Sequence, residues 1–333
     1  MITIHAHTGA RAIEQPLAIG GTLPAGTVWI DMLRPDEAER RFLATLLGIE
    51  LPTREEMKEI EASSQLYVRG ECVYLTTPMI SQADTPHPVM SELTFVLTAQ
   101  HMISIRYHEP RSLLVFGARA TRRPELIASA EAALLGALDA VTDRVADVLE
   151  LIGGRIDGLS TRIFEDTLPA ATTQGKRRRH ATPELQEVLR GVGQAGDLTH
   201  KVRESLAGLD RLVTFMSSTT STRMTKEQKT AVKTLSRDLR SLHEHAGFLA
   251  HEVNFLLDAT LGLINIEQNM IIKIFSVAAV MFLPPTLIAS IYGMNFHQNF
   301  PELDWAYGYP WALFLMVMSA AIPFWYFRRR GWL

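Results

Sequence analysis

Two long apolar runs near the C-terminus constrain this chain more than any other feature. The first covers residues 271–292 and the second covers residues 309–327 of a 333-residue sequence. At about 1.5 Å per helical residue, each run is about long enough to cross a hydrocarbon core of about 30 Å. Neither run contains an aspartate or a glutamate. The sequence therefore predicts two transmembrane helices behind a large, charged N-terminal part.

Charge on either side of these runs predicts how they sit in a membrane. The tail 328–333 carries Arg328, Arg329 and Arg330, whereas the loop 293–308 has no lysine or arginine but contains Glu302 and Asp304. The positive-inside rule therefore places both termini in the cytoplasm and the loop in the periplasm, in a multi-pass inner-membrane protein. The N-terminus lacks the basic and apolar regions of a secretory signal.

The remaining composition excludes several classes of protein. The net charge of -3 gives no reason to expect a nucleic-acid partner. The single cysteine, Cys72, excludes an internal disulfide and a cysteine-rich metal site. The acidic and histidine residues lack the spacing of a hydrolase, a zinc site or a phosphate loop, so no enzyme is expected. His5 and His7 would face one side of a strand, as metal ligands do, but ordinary surface residues are the preferred interpretation.

Residues 1–122 are predicted to form a cytoplasmic α/β domain, a sheet with helices on its faces. A strand is expected at Thr27–Asp31, followed by a helix from Pro35 and a second helix over Arg54–Ala62. Further strands are expected where β-branched and aromatic residues cluster between glycine and proline breaks: Leu66–Arg69, Cys72–Thr77, Glu92–Thr98 and Met102–Tyr107.

Residues 123–222 are predicted to form a long antiparallel helical hairpin. Apolar residues step by three and four from Ile127 to Ile163, and a second helix is expected from Pro183 with Thr182 as its N-cap. The basic tip Lys176–His180 is either a solvated turn or a contact with anionic lipid or a neighbouring subunit. Both interpretations remain open.

Residues 223–292 are predicted to form one continuous helix from Thr225 to Tyr292, part stalk and part membrane span. A heptad stripe from Val232 to Leu263 indicates packing in a helical bundle. At 1.5 Å per residue such a helix would be roughly 100 Å long. Pro284 and Pro285 fall within the span and should kink it or loosen its hydrogen bonds.

Two spans per chain cannot enclose a polar path, so a channel would need a ring of subunits with one span lining the pore. The first span is the better candidate, because its polar and small residues share one helical face. That face contains Asn269, Ile272, Ser276, Ala279, Leu283, Thr286 and Ser290. Lys273 is expected to reach the interface instead of the pore.

The lining face is uncharged, which favours contact with a hydrated ion over direct carboxylate ligation. Mg²⁺ releases water reluctantly and is suited to neutral oxygens around its hydration shell. A ring of Asn295 carboxamides at the end of the span would supply them. The simpler alternative is that Asn295 is a helix C-cap residue.

The stretch Tyr292–Phe296, YGMNF, together with the following FPELDWAYGYP, resembles the CorA family of divalent-cation channels. Gly293, Met294 and Asn295 match the family's GMN signature. Pro301, Glu302 and Leu303 match its usual loop, in which Phe300 replaces a methionine. The resemblance covers the C-terminal third well and the remainder only in layout.

The resemblance implies a homopentameric funnel of α+β subunits that conducts Mg²⁺, with Co²⁺ or Ni²⁺ as further cargo, and needs no organic cofactor. It implies that Gly293, Met294 and Asn295 form the outer selectivity site, with Asn295 as the ion-contacting residue. It further implies a hydrophobic gate at Ile272, Phe275 and Leu283, and polar rings at Asn269 and Thr286. Glu302 and Asp304 would attract cations, and Arg328–Arg330 would form a basic ring at the inner mouth.

The family also senses intracellular Mg²⁺ at acidic subunit contacts, for which Asp84 and Asp238 are candidates. Two rival functions stay open. The first is a zinc transporter of the related ZntB branch, which tends to depart from GMN. The second is a membrane-tethered sensor whose spans only anchor it and conduct no ions.

Overall fold

The computed structural model of the protein describes residues 1–7, 12–164, 182–294 and 305–331. It divides into two compact units. The sheet unit comprises residues 1–179 and 187–257, and the span unit comprises residues 180–186 and 258–333.

The sheet unit contains, within the described residues, a seven-stranded sheet in the order β2-β1-β3-β7-β6-β5-β4. Strands β3 and β7 are parallel, and the other neighbouring pairs are antiparallel. The strands are β1 (Ile2–His7), β2 (Ala12–Leu17), β3 (Thr27–Leu33), β4 (Leu66–Arg69), β5 (Cys72–Ser81), β6 (Val89–Leu97) and β7 (Met102–Arg106).

The helices include four short or medium elements and four long ones in the described part of the chain. They are α1 (Glu37–Leu47), α2 (Arg54–Met57), α3 (Ala62–Gln65), α4 (Arg111–Arg122), α5 (Ala130–Phe164), α6 (Thr182–Thr220), α7 (Lys226–Tyr292) and α8 (Gly308–Arg329).

Helices cover both faces of the sheet, as the sequence predicts. On one face, Leu43 of α1 and Met57 of α2 join a buried cluster with Ile30 and Ile103. On the other face, the indole of Trp29 lies 4.9 Å from the ring of Phe116 on α4. Alternate strand residues supply the two faces because side chains alternate across a strand.

A buried ion pair ties the parallel strands together. Arg106 Nη2 donates to Asp31 Oδ2 at 2.7 Å, and both side chains are less than a tenth exposed. The Ser104 hydroxyl donates to Asp31 Oδ1 at 2.6 Å and accepts from the Trp29 indole at 2.8 Å. Every polar group of this network is thereby paired, which a buried charge requires.

His5 and His7 both lie on β1, but His5 is a core residue. Its ring stacks on Trp29 with a centroid separation of 3.9 Å, and burial lowers its pKa. No group of three histidine, cysteine, aspartate or glutamate residues able to hold a metal occurs among the residues that the structure describes.

The predicted helix Arg54–Ala62 is wrong as a single element. A capping box at Thr53 starts α2, and the buried Met57 anchors it. Beyond Met57 the charged run offers no apolar stripe, and Ile60 is 88% exposed, so nothing holds further turns against the sheet. The chain restarts as α3 at Ala62.

The long helix predicted from Ile127 instead begins at Ala130. A 3₁₀ turn, Pro124–Ile127, precedes it, and the Ser129 hydroxyl accepts from the Ala132 amide at 3.1 Å. This serine therefore acts as a local cap that separates the two elements. Neither β2 nor α4 was predicted from the sequence.

Helices α5 and α6 form the predicted antiparallel hairpin. Arg162 near the end of α5 pairs with Glu187 near the start of α6 at 3.6 Å, and Gly191 lies against the Leu159 side chain. The basic tip Lys176–His180 lies outside the described residues.

Helix α7 confirms the prediction of one uninterrupted helix ending at Tyr292. Its start is capped by Thr225, whose hydroxyl accepts from the Gln228 amide while the Gln228 side chain accepts from the Thr225 amide. Such reciprocal bonds satisfy two of the amides that a helix start otherwise leaves unpaired.

Candidate functional site

The last third of α7 and the whole of α8 form the candidate site in the span unit. Both helices are long and apolar enough to cross a membrane, judged by length and composition, and 6% of each apolar window is buried in the chain. The structure therefore leaves these segments open to lipid and to neighbouring subunits.

The predicted lining residues lie on one exposed face of α7. Ile272, Phe275 and Leu283 are 61%, 71% and 66% exposed. Asn269, Ser276, Ala279, Thr286 and Ser290 are exposed as well. The covered positions fall on the other side of the helix, where Val277 is 4% exposed and Met281 and Ile288 are half-buried. The described part of the chain therefore leaves the face that was predicted to line a pore exposed.

Lys273 is half-buried and does not belong to the exposed lining positions. A lysine on the lining face would repel a cation, so this placement keeps the face uncharged. That Lys273 reaches the interface instead of the pore stays a prediction.

Helix α7 continues through Pro284 and Pro285. Proline has no amide hydrogen, so the carbonyls of Val280 and Met281 lose their usual helical donors. At the next residue, the Thr286 hydroxyl donates to the Phe282 carbonyl at 2.7 Å. Because its hydrogen is committed to the backbone, the Thr286 oxygen is left as an acceptor on the exposed face.

The helix ends at the first residues of the GMN motif. The Gly293 amide donates to the Ala289 carbonyl at 2.9 Å, and the Met294 amide donates to the Ile291 carbonyl at 3.3 Å. A β-carbon on Gly293 would lie 3.0 Å from the Ala289 oxygen, so glycine permits this close ending. Asn295, Glu302 and Asp304 lie outside the described residues.

Helix α8 carries the basic triplet at its C-terminal end. The guanidinium of Arg329 lies 5.3 Å from the ring centroid of Trp325, and that of Arg330 lies 5.7 Å from the centroid of Tyr326. These cation–π pairs join residues one helical turn apart.

The two candidate sensor residues have different surroundings in the sheet unit. Asp84 is paired with Arg144 at 2.8 Å and with Arg111 at 3.5 Å. Asp238 lies exposed on α7, near Asp139 on α5. Burial, then the negative charges of Asp143 and Asp238, raise the pKa of Asp139, against the opposing effect of Arg119.

Sequence reasoning missed Asp139 and Asp143. Their spacing of four residues places both carboxylates on one side of α5. The sequence contains this spacing, but the spacing does not show which helix packs against that side of α5.

A sheet unit with a long helical hairpin, joined by one helix to two candidate spans, defines a class of membrane proteins with a large N-terminal unit. The relatives of this class that match the chain are ion transporters and not enzymes. The chain matches the CorA-like Mg²⁺ transporter protein family over residues 24–329. It is 34% identical over 306 residues to the magnesium transport protein CorA of Haemophilus ducreyi and, equally, to that of Escherichia coli strain K12, covering 92% of each chain in both cases. The chain therefore belongs to the CorA family.

Solved structures show the same fold at lower sequence identity. The complete CorA magnesium transporter of Methanocaldococcus jannaschii aligns with a TM-score of 0.74 at 18% identity, covering 100% of this chain and 99% of that one. The full-length CmaX protein aligns with a TM-score of 0.64 at 15% identity, covering 99% and 97%. The predicted fold class, an α/β domain with long helices and two C-terminal spans, is confirmed.

Proposed function

We propose that the protein is a Mg²⁺ uptake channel of the bacterial inner membrane that works passively as a homopentamer. The observation that carries this proposal is the exposed, uncharged face of α7 that leads directly into the GMN motif. The curated relatives at 34% identity are magnesium transport proteins, which supports Mg²⁺ as the cargo. Co²⁺ and Ni²⁺ are proposed as further cargo.

The ion crosses with its water shell. Asn269, Ser276, Thr286 and Ser290 offer neutral oxygens along the lining face, which contact the hydration shell without stripping it. Asn295 forms the outer selectivity ring, positioned by Gly293 and Met294. For a divalent ion the membrane potential supplies about 4.6 kcal/mol per 100 mV, so no energy-coupling site is needed.

The gate consists of apolar rings on the same face. Ile272, Phe275 and Leu283 would meet their copies around the pore axis, and a narrow apolar constriction stops ions by excluding water. The exposure of all three side chains in the single chain supports this arrangement.

Intracellular Mg²⁺ closes the gate by binding at acidic subunit contacts. Of the two candidates, Asp238 is better suited than Asp84. Two arginines pair with Asp84, whereas Asp238 adds to the negative charge around Asp139 and Asp143, where Arg119 pairs with Asp143 at 3.0 Å. A bridging cation would relieve that repulsion.

Charges at the two mouths act on the ion in opposite ways. Glu302 and Asp304 attract cations in the periplasmic loop, and Arg328–Arg330 form a basic ring that resists passage at the inner mouth until the gate opens. Both termini then lie in the cytoplasm, in line with the positive-inside rule.

The test is ion flux into vesicles that contain the purified full chain and an internal Mg²⁺ indicator. We expect Mg²⁺ entry that increases with an inside-negative potential and slows when the internal Mg²⁺ concentration is high. Asn295→Ala should abolish discrimination between Mg²⁺ and Ca²⁺, whereas Asn295→Gln, which keeps the carboxamide, should retain part of it.

The same vesicles separate the rival functions. Zn²⁺ entry without Mg²⁺ entry would assign the protein to zinc transport. Absence of any cation flux from a well-folded oligomer, with Asn295→Ala behaving like the wild type, would favour the membrane-tethered sensor.

A further inference from the structure

One side of α7 packs on the helical hairpin within the sheet unit. A β-carbon on Gly153 of α5 would lie 3.9 Å from the Leu249 side chain, and one on Gly196 of α6 would lie 3.3 Å from the Val253 side chain. Leu249 and Val253 are accordingly only 2% and 8% exposed. These contacts show which side of α7 is turned towards the rest of the chain.

A second side of the same stretch is exposed and carries a histidine between two phenylalanines. Phe248 and Phe255 are 56% and 61% exposed, and His251, which lies about one turn from each, is exposed as well. Neither a hydrogen bond nor an ion pair joins the His251 side chain to another described residue. Exposed apolar rings of this size indicate a surface that another molecule covers, and the imidazole between them is available to a ligand.

This exposed side continues the predicted lining face of the span in steps of seven residues. His251 precedes Ile272 by 21 residues, and Phe248 and Phe255 precede Asn269 by 21 and 14 residues. Helix α7 is uninterrupted between these positions. Residues seven apart stay on one side of a helix that packs in a left-handed bundle. If α7 lines the pore as proposed above, His251 of every copy therefore faces the same axis as Ile272.

We propose that the His251 imidazoles of neighbouring copies bind one transition-metal ion, such as Ni²⁺, on the axis of the oligomer. The inference rests on the proposed ring of subunits, because the site is incomplete in one chain. Each chain supplies one imidazole at this level, and the described residues contain no group of three histidine, cysteine, aspartate or glutamate residues able to hold a metal. Imidazole nitrogens suit Ni²⁺, Co²⁺ and Zn²⁺, whereas Mg²⁺ prefers oxygen ligands.

A metal ion bound at the His251 ring regulates conduction. An ion leaves a channel quickly only where its binding is weak. Mg²⁺ passes the imidazoles with its water shell, whereas Ni²⁺ held by several nitrogens leaves slowly and obstructs the path. The protein is therefore expected to be a Mg²⁺ channel that low concentrations of Ni²⁺ inhibit, and through which Ni²⁺ itself passes slowly.

The first test measures Ni²⁺ binding and needs no transport. The full chain, purified as its oligomer without a histidine tag and stripped of metal with a chelator, is titrated with Ni²⁺ in a calorimeter. Mg²⁺ in large excess occupies the oxygen sites. We expect one tightly bound Ni²⁺ per oligomer.

The variants of this titration distinguish His251 from other histidines. His251→Gln should weaken Ni²⁺ binding by about a hundredfold or more, since even residues behind the ligands contribute roughly 10–100-fold to metal affinity. His243→Gln is the matched control, because His243 is exposed on the same helix but lies outside the steps of seven. It should bind Ni²⁺ as the wild type does.

The second test measures Mg²⁺ uptake into vesicles with Ni²⁺ present on both sides. The uptake of each variant is compared with its own uptake without Ni²⁺. At a Ni²⁺ concentration equal to the dissociation constant, uptake by the wild type and by His243→Gln should fall by about half. Uptake by His251→Gln should not respond to this concentration.

Three results would overturn the proposal. One is a wild-type chain that binds Ni²⁺ no better than His251→Gln when both elute as the same oligomer. Another is one Ni²⁺ per chain, which would place the site within a single copy. The third is Ni²⁺ binding that excess Mg²⁺ abolishes, which would assign the ion to a carboxylate site. A well-folded oligomer without Mg²⁺ uptake would contradict the proposed function, and Ni²⁺ binding would still decide whether His251 forms a site.

Discussion

The sheet unit buries a large apolar core and a paired charge within one chain, whereas the described apolar side chains of the span unit are mostly exposed. Asp31 and Arg106 neutralise each other inside the sheet unit, and Trp29, Phe95 and Phe116 are almost completely buried there. In the span unit, Phe275 and Phe282 are 71% and 69% exposed. The sheet unit therefore has a packed core within one chain, while the exposed side chains of the span unit are left for lipid or further copies to cover.

The largest expected effect tests the self-sufficiency of the sheet unit. Asp31→Ala leaves the Arg106 guanidinium buried without its carboxylate, which costs about 3–5 kcal/mol. The melting temperature of the full chain in detergent should fall by roughly 10 °C. Asp84→Ala removes an exposed partner of two arginines and should cost about 1 kcal/mol or less. Equal effects of both substitutions would show that burial does not determine the strength of these pairs.

A second prediction concerns acid stability of the same unit. Burial, assisted by the charge of Arg106, lowers the pKa of His108 from 6.5 to about 4. The unfolded chain therefore binds a proton below pH 6.5 that the folded chain excludes, and stability falls as the pH falls from 6.5 towards 4. Between pH 6.5 and 5 the loss from this histidine is on the order of 2 kcal/mol.

His108→Gln should flatten that pH dependence, because it removes the titrating ring at the same position. The measurement compares melting temperatures at pH 7 and pH 5 for both proteins. If the variant loses as much stability as the wild type, the acid sensitivity belongs to other groups, such as the buried His5.

A third prediction concerns a glycine of the span unit whose substitution should leave the stability of the sheet unit unchanged. Gly293→Ala places a β-carbon 3.0 Å from the Ala289 oxygen and should disturb the helix end that precedes Asn295. If the substitution raises the free-energy barrier to conduction by about 1.4 kcal/mol, the Mg²⁺ flux should fall roughly tenfold. The melting temperature of the sheet unit should not change.

The matched control lies on the same helix. Gly262 has open space where a β-carbon would stand, so Gly262→Ala should leave flux unchanged while adding helix propensity. If both alanine variants conduct equally well, the close ending at Gly293 does not position the selectivity ring.

The smallest expected effect concerns a single hydroxyl. Thr286→Val removes the oxygen that the Phe282 carbonyl orients, and Mg²⁺ flux should fall about threefold, as expected for one lost hydrogen-bonding group. Thr286→Ser should retain wild-type flux. A valine variant with unchanged conduction would show that Thr286 does not contact the hydrated ion.

Much of the fold could be predicted because its signals are local. The heptad stripe and the Thr225 cap define α7, and the apolar runs define both spans. The pair of Asp31 and Arg106 could not be predicted, since 75 residues separate its members and neither has a local pattern. The interruption at Ser129 was missed because the apolar spacing continues across it. The predicted lining residues are exposed on α7, but their role in a pore remains a prediction, as do the roles of Asn295, Glu302 and Asp304.

The proline pair in α7 has a mechanical consequence. An α-helix resists bending because each turn is clamped by backbone hydrogen bonds, and two adjacent clamps are absent where the carbonyls of Val280 and Met281 face proline nitrogens. Helix α7 should therefore bend more easily at this turn than elsewhere along its length. The proposed inner rings at Ile272 and Phe275 lie on one side of that turn, and Thr286 and Ser290 lie on the other. In the proposed channel, the two halves of the conduction path would therefore change diameter in separate steps.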